Sequence, residues 1–203
     1  MVKQINVVFD IGNVLIRWRP ELAVSQSFPD RTEALTYLKS VGFSDWNVLQ
    51  DGGRSFAEGY AALEAAHPGR ASPLSDYPAR FADTIREPIV GTWALLDRLK
   101  AHGHRLFAIT NFSAYTWPTA LRLYPRLGVE FEDVVVSGRE RLLKPTREIY
   151  ELFLTRNDLP AEDCLFIDDS AANVAGARAV GMAAHHFTDP ALLEVDLRAR
   201  GLL

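Results

Sequence analysis

Hydrophobic and polar positions divide the chain into two kinds of pattern. Ile5 to Phe9 is a short β-branched and aromatic run without a charge, suited to a strand buried on both faces of a parallel sheet. It stops on Asp10, and Gly12-Asn13 follows. From residue 16 to 87 the pattern is helical, broken by turn residues. Asp30 is placed to cap a helix over 32–39 with Leu35 and Leu38 on one face. Phe43 to Leu49 is a second apolar cluster, ended by Gly52-Gly53. Ser55 and Glu58 have the spacing of a capping box for a helix to about Ala66, which His67-Pro68-Gly69 stops. A further helix is predicted from Ser72-Pro73, with Tyr77 and Phe81 four apart and Ile85 one turn on.

From Pro88 strands and helices alternate. Trp93, Leu96 and Leu99 mark a helix face that His102-Gly103 ends. Arg105 to Ile109 is a strand stopping at Thr110-Asn111, and 113–123 is helical with Pro118 disturbing the pattern. Asp133 to Val136 is a strand, and a polar loop leads from it to Lys144-Pro145. Ile149, Leu152 and Phe153 face one side of the next helix. Leu165 to Ile167 is a strand ending on Asp168-Asp169; Val174, Ala177 and Val180 line the helix after it. Met182 to Phe187 is a last strand before a polar C-terminal segment.

This order predicts an α/β protein with a doubly wound, Rossmann-like parallel sheet. The core is expected over 1–15 and 88–203, with a small all-helical segment, 16–87, inserted after the first strand. Polar groups at the carboxyl ends of parallel strands gather in one crevice. Asp10, Thr110-Asn111 and Asp168-Asp169 all fall at such ends.

Composition narrows the partners. Apolar residues are 48% and charged residues 24%, with a net charge of −4, which lacks the basic footprint of a nucleic-acid binder. No apolar run is long enough to span a bilayer, and the first strand, broken by Asp10, is no signal peptide. The single cysteine, Cys164, reads as a buried structural thiol and fits a reducing, cytoplasmic setting. The sequence does not fix the oligomeric state.

Each polar strand end has a plain reading beside a chemical one. Asp10 with Gly12-Asn13 makes an ordinary turn, or presents a carboxylate to the crevice. Asp168-Asp169 caps the following helix; yet two adjacent acids at a buried strand end repel unless a cation lies between them, and hard oxygen ligands suit Mg²⁺. Thr110-Asn111 is a helix start or an anion-holding pair. Lys144 alone is a loop lysine, but a phosphate near Asp10 and a metal would need its charge.

Taken in order, Phe9-Asp10-Ile11-Gly12-Asn13-Val14, Ile109-Thr110-Asn111, Lys144-Pro145 and Phe166-Ile167-Asp168-Asp169-Ser170 through Asn173 resemble the four motifs of the haloacid dehalogenase-like hydrolase superfamily. The inserted helices resemble its C1-type cap. The resemblance implies Asp10 as nucleophile forming an aspartyl-phosphate. It implies Mg²⁺ held by Asp10, the Gly12 carbonyl and Asp169, with Asp168 binding directly or through water. Thr110 and the Asn111 amide would hold phosphoryl oxygens, and Lys144 would neutralise charge. A small phosphorylated metabolite is the implied substrate, with Arg17 as a candidate contact near the cap hinge.

One position departs from the superfamily's common pattern: Gly12 stands where most of its phosphatases have a second aspartate that protonates the leaving group. Losing a general acid costs about 10²–10⁴ in rate. A subgroup of sugar-phosphate phosphatases reads Asp-x-Gly-Asn-Val here, and a sugar 1-phosphate or acyl phosphate would need less protonation. A metal-independent 2-haloacid dehalogenase also lacks that aspartate, but does not keep adjacent acids such as Asp168-Asp169. A non-catalytic phosphate-binding relic is the third reading. Trp46 is expected to pack among the helices, Trp18 to pack there or line the pocket, and Phe112 and Tyr115 to approach substrate. His185 and His186 are expected in core or surface roles.

Overall fold

The structure is a computed structural model that describes residues 5–203; the first four residues of the expected core segment lie outside them. Its strands are β1 (Asn6–Phe9), β2 (Ile16–Arg17), β3 (Glu87–Pro88), β4 (Arg105–Thr110), β5 (Val134–Val136), β6 (Cys164–Asp168) and β7 (Ala183–His186). Five of them form a parallel sheet in the order β5-β4-β1-β6-β7, and β2 and β3 form a separate antiparallel ribbon.

Helices cover both sheet faces. They are α1 (Glu21–Val24), α2 (Arg31–Ser40), α3 (Phe43–Asp51), α4 (Phe56–Ala66), α5 (Phe81–Thr84), α6 (Val90–Ala101), α7 (Trp117–Leu123), α8 (Ser137–Glu140), α9 (Arg147–Arg156), α10 (Ala171–Ala179) and α11 (Pro190–Ala199). The central strand shows why its sequence is apolar throughout. Val7 and Phe9 enter the core on one side, while Val8 packs with Ile149, Phe153 and Val174 on the other. Burying each such side chain stabilises the fold by about 1.5–3 kcal/mol. Phe9 aligns with Ala108 of β4 and Ile167 of β6, so the chain leaves all three strands at one edge. Asp10 donates its amide to the Ile167 carbonyl at 2.8 Å and begins that edge.

Local signals act where they were read. The Asp30 side chain accepts from the Glu33 amide at the start of α2, and Ser55 with Glu58 makes a complete capping box on α4. Between β2 and β3 every regular element is helical. An aromatic lattice joins this segment to the sheet: Phe43 meets Tyr77 at 5.3 Å between ring centres, Tyr77 meets Phe81, and Phe81 meets Phe112 at 5.2 Å.

Several expectations are corrected. The helix expected from Ser72 is a 3-10 turn, Ser72–Leu74, followed by turns and the single-turn α5; Pro78 lacks the N–H a continuous helix would need. Leu35 is exposed, because α2 packs through Ala34, Tyr37 and Leu38, a closer helical face. The loop expected after β5 contains α8, and the polar C-terminal segment is α11, which buries Leu193 and Leu197. Pro118 does not break α7 but sits in its first turn, so the helix starts at Trp117. The two-residue strands β2 and β3 are too short to leave an alternating pattern. Cys164 is buried, and burial pushes its thiol up to about 11.

Candidate active site

At the carboxyl edge of the sheet, Lys144 binds two carboxylates at once. Its Nζ lies 2.9 Å from Asp10 Oδ1 and 2.7 Å from Asp168 Oδ2, and it donates to the Ile109 carbonyl at 2.9 Å. The ammonium is buried, and these partners make that position tenable. Attraction from Asp10 and Asp168 outweighs burial and holds the lysine above its usual range, hence charged. Asp10 Oδ1 also accepts the Ile11 amide at 2.7 Å. Burial nonetheless raises Asp10 to about 7; Lys144 opposes the rise, and Asp168 and Asp169 add to it.

Asp168 has both oxygens engaged. Oδ1 accepts from the Ser170 amide at 2.8 Å and from Asn173 Nδ2 at 3.0 Å, while Oδ2 takes Lys144. Asp168 thus holds Lys144 and the start of α10 together. Asp169 is half-buried; burial and Asp168 raise its carboxyl, against a hydrogen bond from Asn13. Asn13 adopts φ 55°, a left-handed conformation that asparagine tolerates, and its Oδ1 accepts the Trp18 amide at 3.1 Å. The turn after the first strand thus aims one side chain at Asp169.

Carboxylate oxygens of Asp10, Asp168 and Asp169 lie within 4.8 Å of one another. Three acids share a single lysine, and a divalent cation would offset the remaining carboxylate charge. Hard oxygen donors of this kind fit Mg²⁺. Asp10 and Asp169 line the cavity, as does Gly12; Asp168 is committed to its other partners.

The second motif supports the lysine from below. Thr110 is buried at the end of β4, and Asn111 clamps the Lys144 backbone, its Oδ1 accepting the N–H and its Nδ2 donating to the carbonyl. Asn111 lines the cavity; Thr110 and Lys144 are buried and do not. Arg17 stands in β2 across from Glu87, with which it pairs at 3.1 Å, and is not among the residues lining this cavity.

The cavity above Asp10 holds about 200 Å³. Its wall is largely apolar, formed by Ile16, Trp18, Phe56, Phe81, Ile85 and Phe112. Tyr77 and Asp51 also line it, and neither was anticipated. Aromatic residues at helical spacing read equally well as core. Asp51 had one available signal: an acid on the last turn of a helix opposes the helix dipole and requires another reason to be there. Trp18 both packs on Phe43 and lines the cavity; Trp46 is buried and donates to the Gly59 carbonyl. Tyr115 is exposed and lies outside the wall. His185 pairs with Asp196, and His186 contacts the Asp169 carbonyl at 2.9 Å.

Comparison with known proteins agrees with this architecture. A sesquiterpene phosphatase of Aspergillus oryzae is 29% identical over 193 residues, covering 94% of this chain and 93% of the relative. A HAD-like hydrolase structure from Porphyromonas gingivalis superposes with a TM-score of 0.69 at 22% identity, covering 95% of this chain and 97% of the other. A HAD family enzyme from Bacteroides thetaiotaomicron, in complex with magnesium and inorganic phosphate, superposes at 0.67 with 19% identity, covering 92% and 95%. These structural likenesses establish the fold. Residues 6–181 match the family model of the haloacid dehalogenase-like hydrolases. The chain is a member of that hydrolase family.

Proposed function

We propose that this hydrolase is a Mg²⁺-dependent phosphatase that cleaves a small phosphomonoester with a largely apolar organic group, by way of an aspartyl-phosphate on Asp10. The observation that carries this reading is Asp10 held beside Lys144 on the floor of a cavity whose wall is mostly aliphatic and aromatic. The floor offers a nucleophile backed by the buried Lys144 charge; most of the wall is apolar surface, with Asn47, Ser113 and Thr116 as polar points within it, which suits an apolar group better than a fully hydroxylated one. The sesquiterpene phosphatase relative supports an apolar substrate over the sugar 1-phosphate suggested by the Asp-x-Gly-Asn-Val motif.

In this reading Asp10, the Gly12 carbonyl and Asp169 hold Mg²⁺. The ion would supply charge compensation for the phosphoryl oxygens. Lys144 keeps Asp10 oriented and adds charge, Asp168 and Asn111 keep Lys144 in place, and the Asn111 amide receives phosphoryl oxygens, with the Thr110 hydroxyl directly behind it at the strand end as the second donor once substrate is bound. Phosphoryl transfer depends chiefly on such positioning and electrostatic stabilisation. The helical segment between β2 and β3 serves as a cap, with that ribbon as its hinge, and excludes water from the bound substrate. The adjacent acids Asp168 and Asp169 favour this chemistry over metal-independent dehalogenation.

The test is phosphate release from prenyl and alkyl monophosphates and from sugar 1-phosphates, with Mg²⁺ and with EDTA. Metal-dependent release, faster from the apolar esters and lost in Asp10→Asn, is expected. No release from any ester, with chloride released from 2-chloropropionate instead, would replace the phosphatase reading with the dehalogenase.

A further inference from the structure

We propose that Asp51 is the general acid and base of this reaction, supplied from α3 in place of the side chain that Gly12 lacks. The inference rests on the phosphatase reading and adds a catalytic residue to it.

The need is chemical. An apolar alcohol is a poor leaving group, and its oxygen must gain a proton as the bond to phosphorus breaks. Next to the nucleophile there is no donor: a Cβ added to Gly12 would meet nothing within 4 Å, so that position is open space. The ionisable side chains on the cavity wall are Asp10, Asp51, Tyr77 and Asp169. Asp10 is the nucleophile and Asp169 belongs with the cation. Burial drives the Tyr77 hydroxyl far above the usual phenol range, too weak an acid for the task. Asp51 remains.

Its position is fixed by the core as well as by its own helix. Asn47 Nδ2 donates to Asp51 Oδ2 at 2.8 Å, and the Ser113 amide donates to the same carboxyl group. The Asp51 carbonyl accepts from Ser137 Oγ at 2.6 Å, and that oxygen in turn accepts the Phe112 amide at 2.9 Å. The acid is thereby tied to the loop that directly follows Thr110-Asn111.

The surroundings also set its protonation. Burial is the largest influence, the charge of Asp10 adds to it, and the carboxyl is pushed up to about 8 against the pull of the Ser113 amide and Lys144. Asp51 ends α3, where the helix dipole further disfavours the anion. The charged groups around it are Asp10 and Asp169 on the cavity floor, Lys144 buried behind Asp10, and Arg54 and Arg141 by the Gly52-Gly53 turn. Near neutral pH the group holds a proton to give.

The steps balance. Asp10 attacks phosphorus, the bond from phosphorus to the ester oxygen breaks, and the Asp51 proton passes to that oxygen to release the alcohol. Asp51, now a carboxylate, takes a proton from water as that water attacks phosphorus. The Asp10–phosphorus bond breaks, inorganic phosphate leaves and Asp51 is again protonated.

The experiment compares first-turnover rates of 4-nitrophenyl phosphate and a soluble alkyl phosphate, with Mg²⁺, in the parent and in Asp51→Asn. Asn47 can turn its amide to face the new side chain, so the substitution keeps the local hydrogen bonds. The expected loss with the alkyl ester is about 10²–10⁴-fold, at least about tenfold greater than with the nitrophenyl ester. Equal losses for both esters, or none, would overturn the proposal while leaving the phosphatase intact. A parent that cleaves neither ester would overturn the phosphatase reading and this proposal with it. The parent protein gives a second readout independent of any variant. Its kcat/KM for the alkyl ester should fall above about pH 8 while that for the nitrophenyl ester does not; matching limbs would count against Asp51.

Discussion

The side-chain amide of Asn111 grips the backbone of Lys144 at both polar groups, accepting its N–H and donating to its carbonyl at 2.9 Å each. The lysine ammonium, 2.9 Å from Asp10, is thus fixed at its root by one motif and at its tip by two others. A flexible four-carbon side chain becomes a located charge.

Asn111→Ala removes both grips and leaves the Lys144 peptide without those partners. Stability should fall by about 1–3 kcal/mol. Turnover should fall by about 10²-fold through misplacement of a charge that is still present. Urea unfolding and steady-state kinetics on one preparation check this. Unchanged turnover would mean that the clamp does not position Lys144.

Lys144→Met leaves Asp10 and Asp168 facing each other without their shared cation. Breaking a buried pair in this way costs about 3–5 kcal/mol at neutral pH. Asp10, already raised by burial, then ionises still less readily in the folded state than in the unfolded one. The folded form therefore binds more protons, and the penalty grows as pH rises from 5 to 8 and shrinks as it falls. Unfolding curves across that range test the sign.

Mg²⁺ should raise the melting temperature by mass action, by about 2.7 kcal/mol of stability at a hundred times its dissociation constant. Asp169→Asn should abolish most of this shift. Asp168→Asn should instead lower the melting temperature without metal, because Lys144, Ser170 and Asn173 depend on that carboxylate. An intact shift in Asp169→Asn would move the ion elsewhere.

Asp51→Asn should change thermal stability with a definite pH trend. A carboxyl raised to about 8 in the folded protein stabilises most below its unfolded value of 3.8, and that contribution is lost as pH rises through 8. The variant should gain on the parent in melting temperature between pH 5 and 8. A constant difference across that range would show that Asp51 titrates normally.

The sheet and the floor of the site were legible because they are written in short contiguous signals. An uncharged strand ending on Asp10 and a second ending on Asp168-Asp169 announce both the parallel sheet and the crevice. The partners of Asp168 were not legible, since Asn173 and Lys144 arrive from other elements. The pairing of Arg17 with Glu87 is not legible, because β2 is too short to leave a cross-strand pattern. Asp51 was hidden for a different reason. It belongs to no motif of the core, and only the docking of α3 on Ser137 and Ser113 brings it to the cavity.

The most direct measurement is an acid quench within the first turnover of a phosphomonoester with Mg²⁺, followed by the mass of the peptide that carries Asp10. A phosphoryl group on that peptide, removed by hydroxylamine and missing in Asp10→Asn, is the predicted result. Phosphate released over many turnovers with no phosphoryl group ever found on Asp10 would contradict the mechanism.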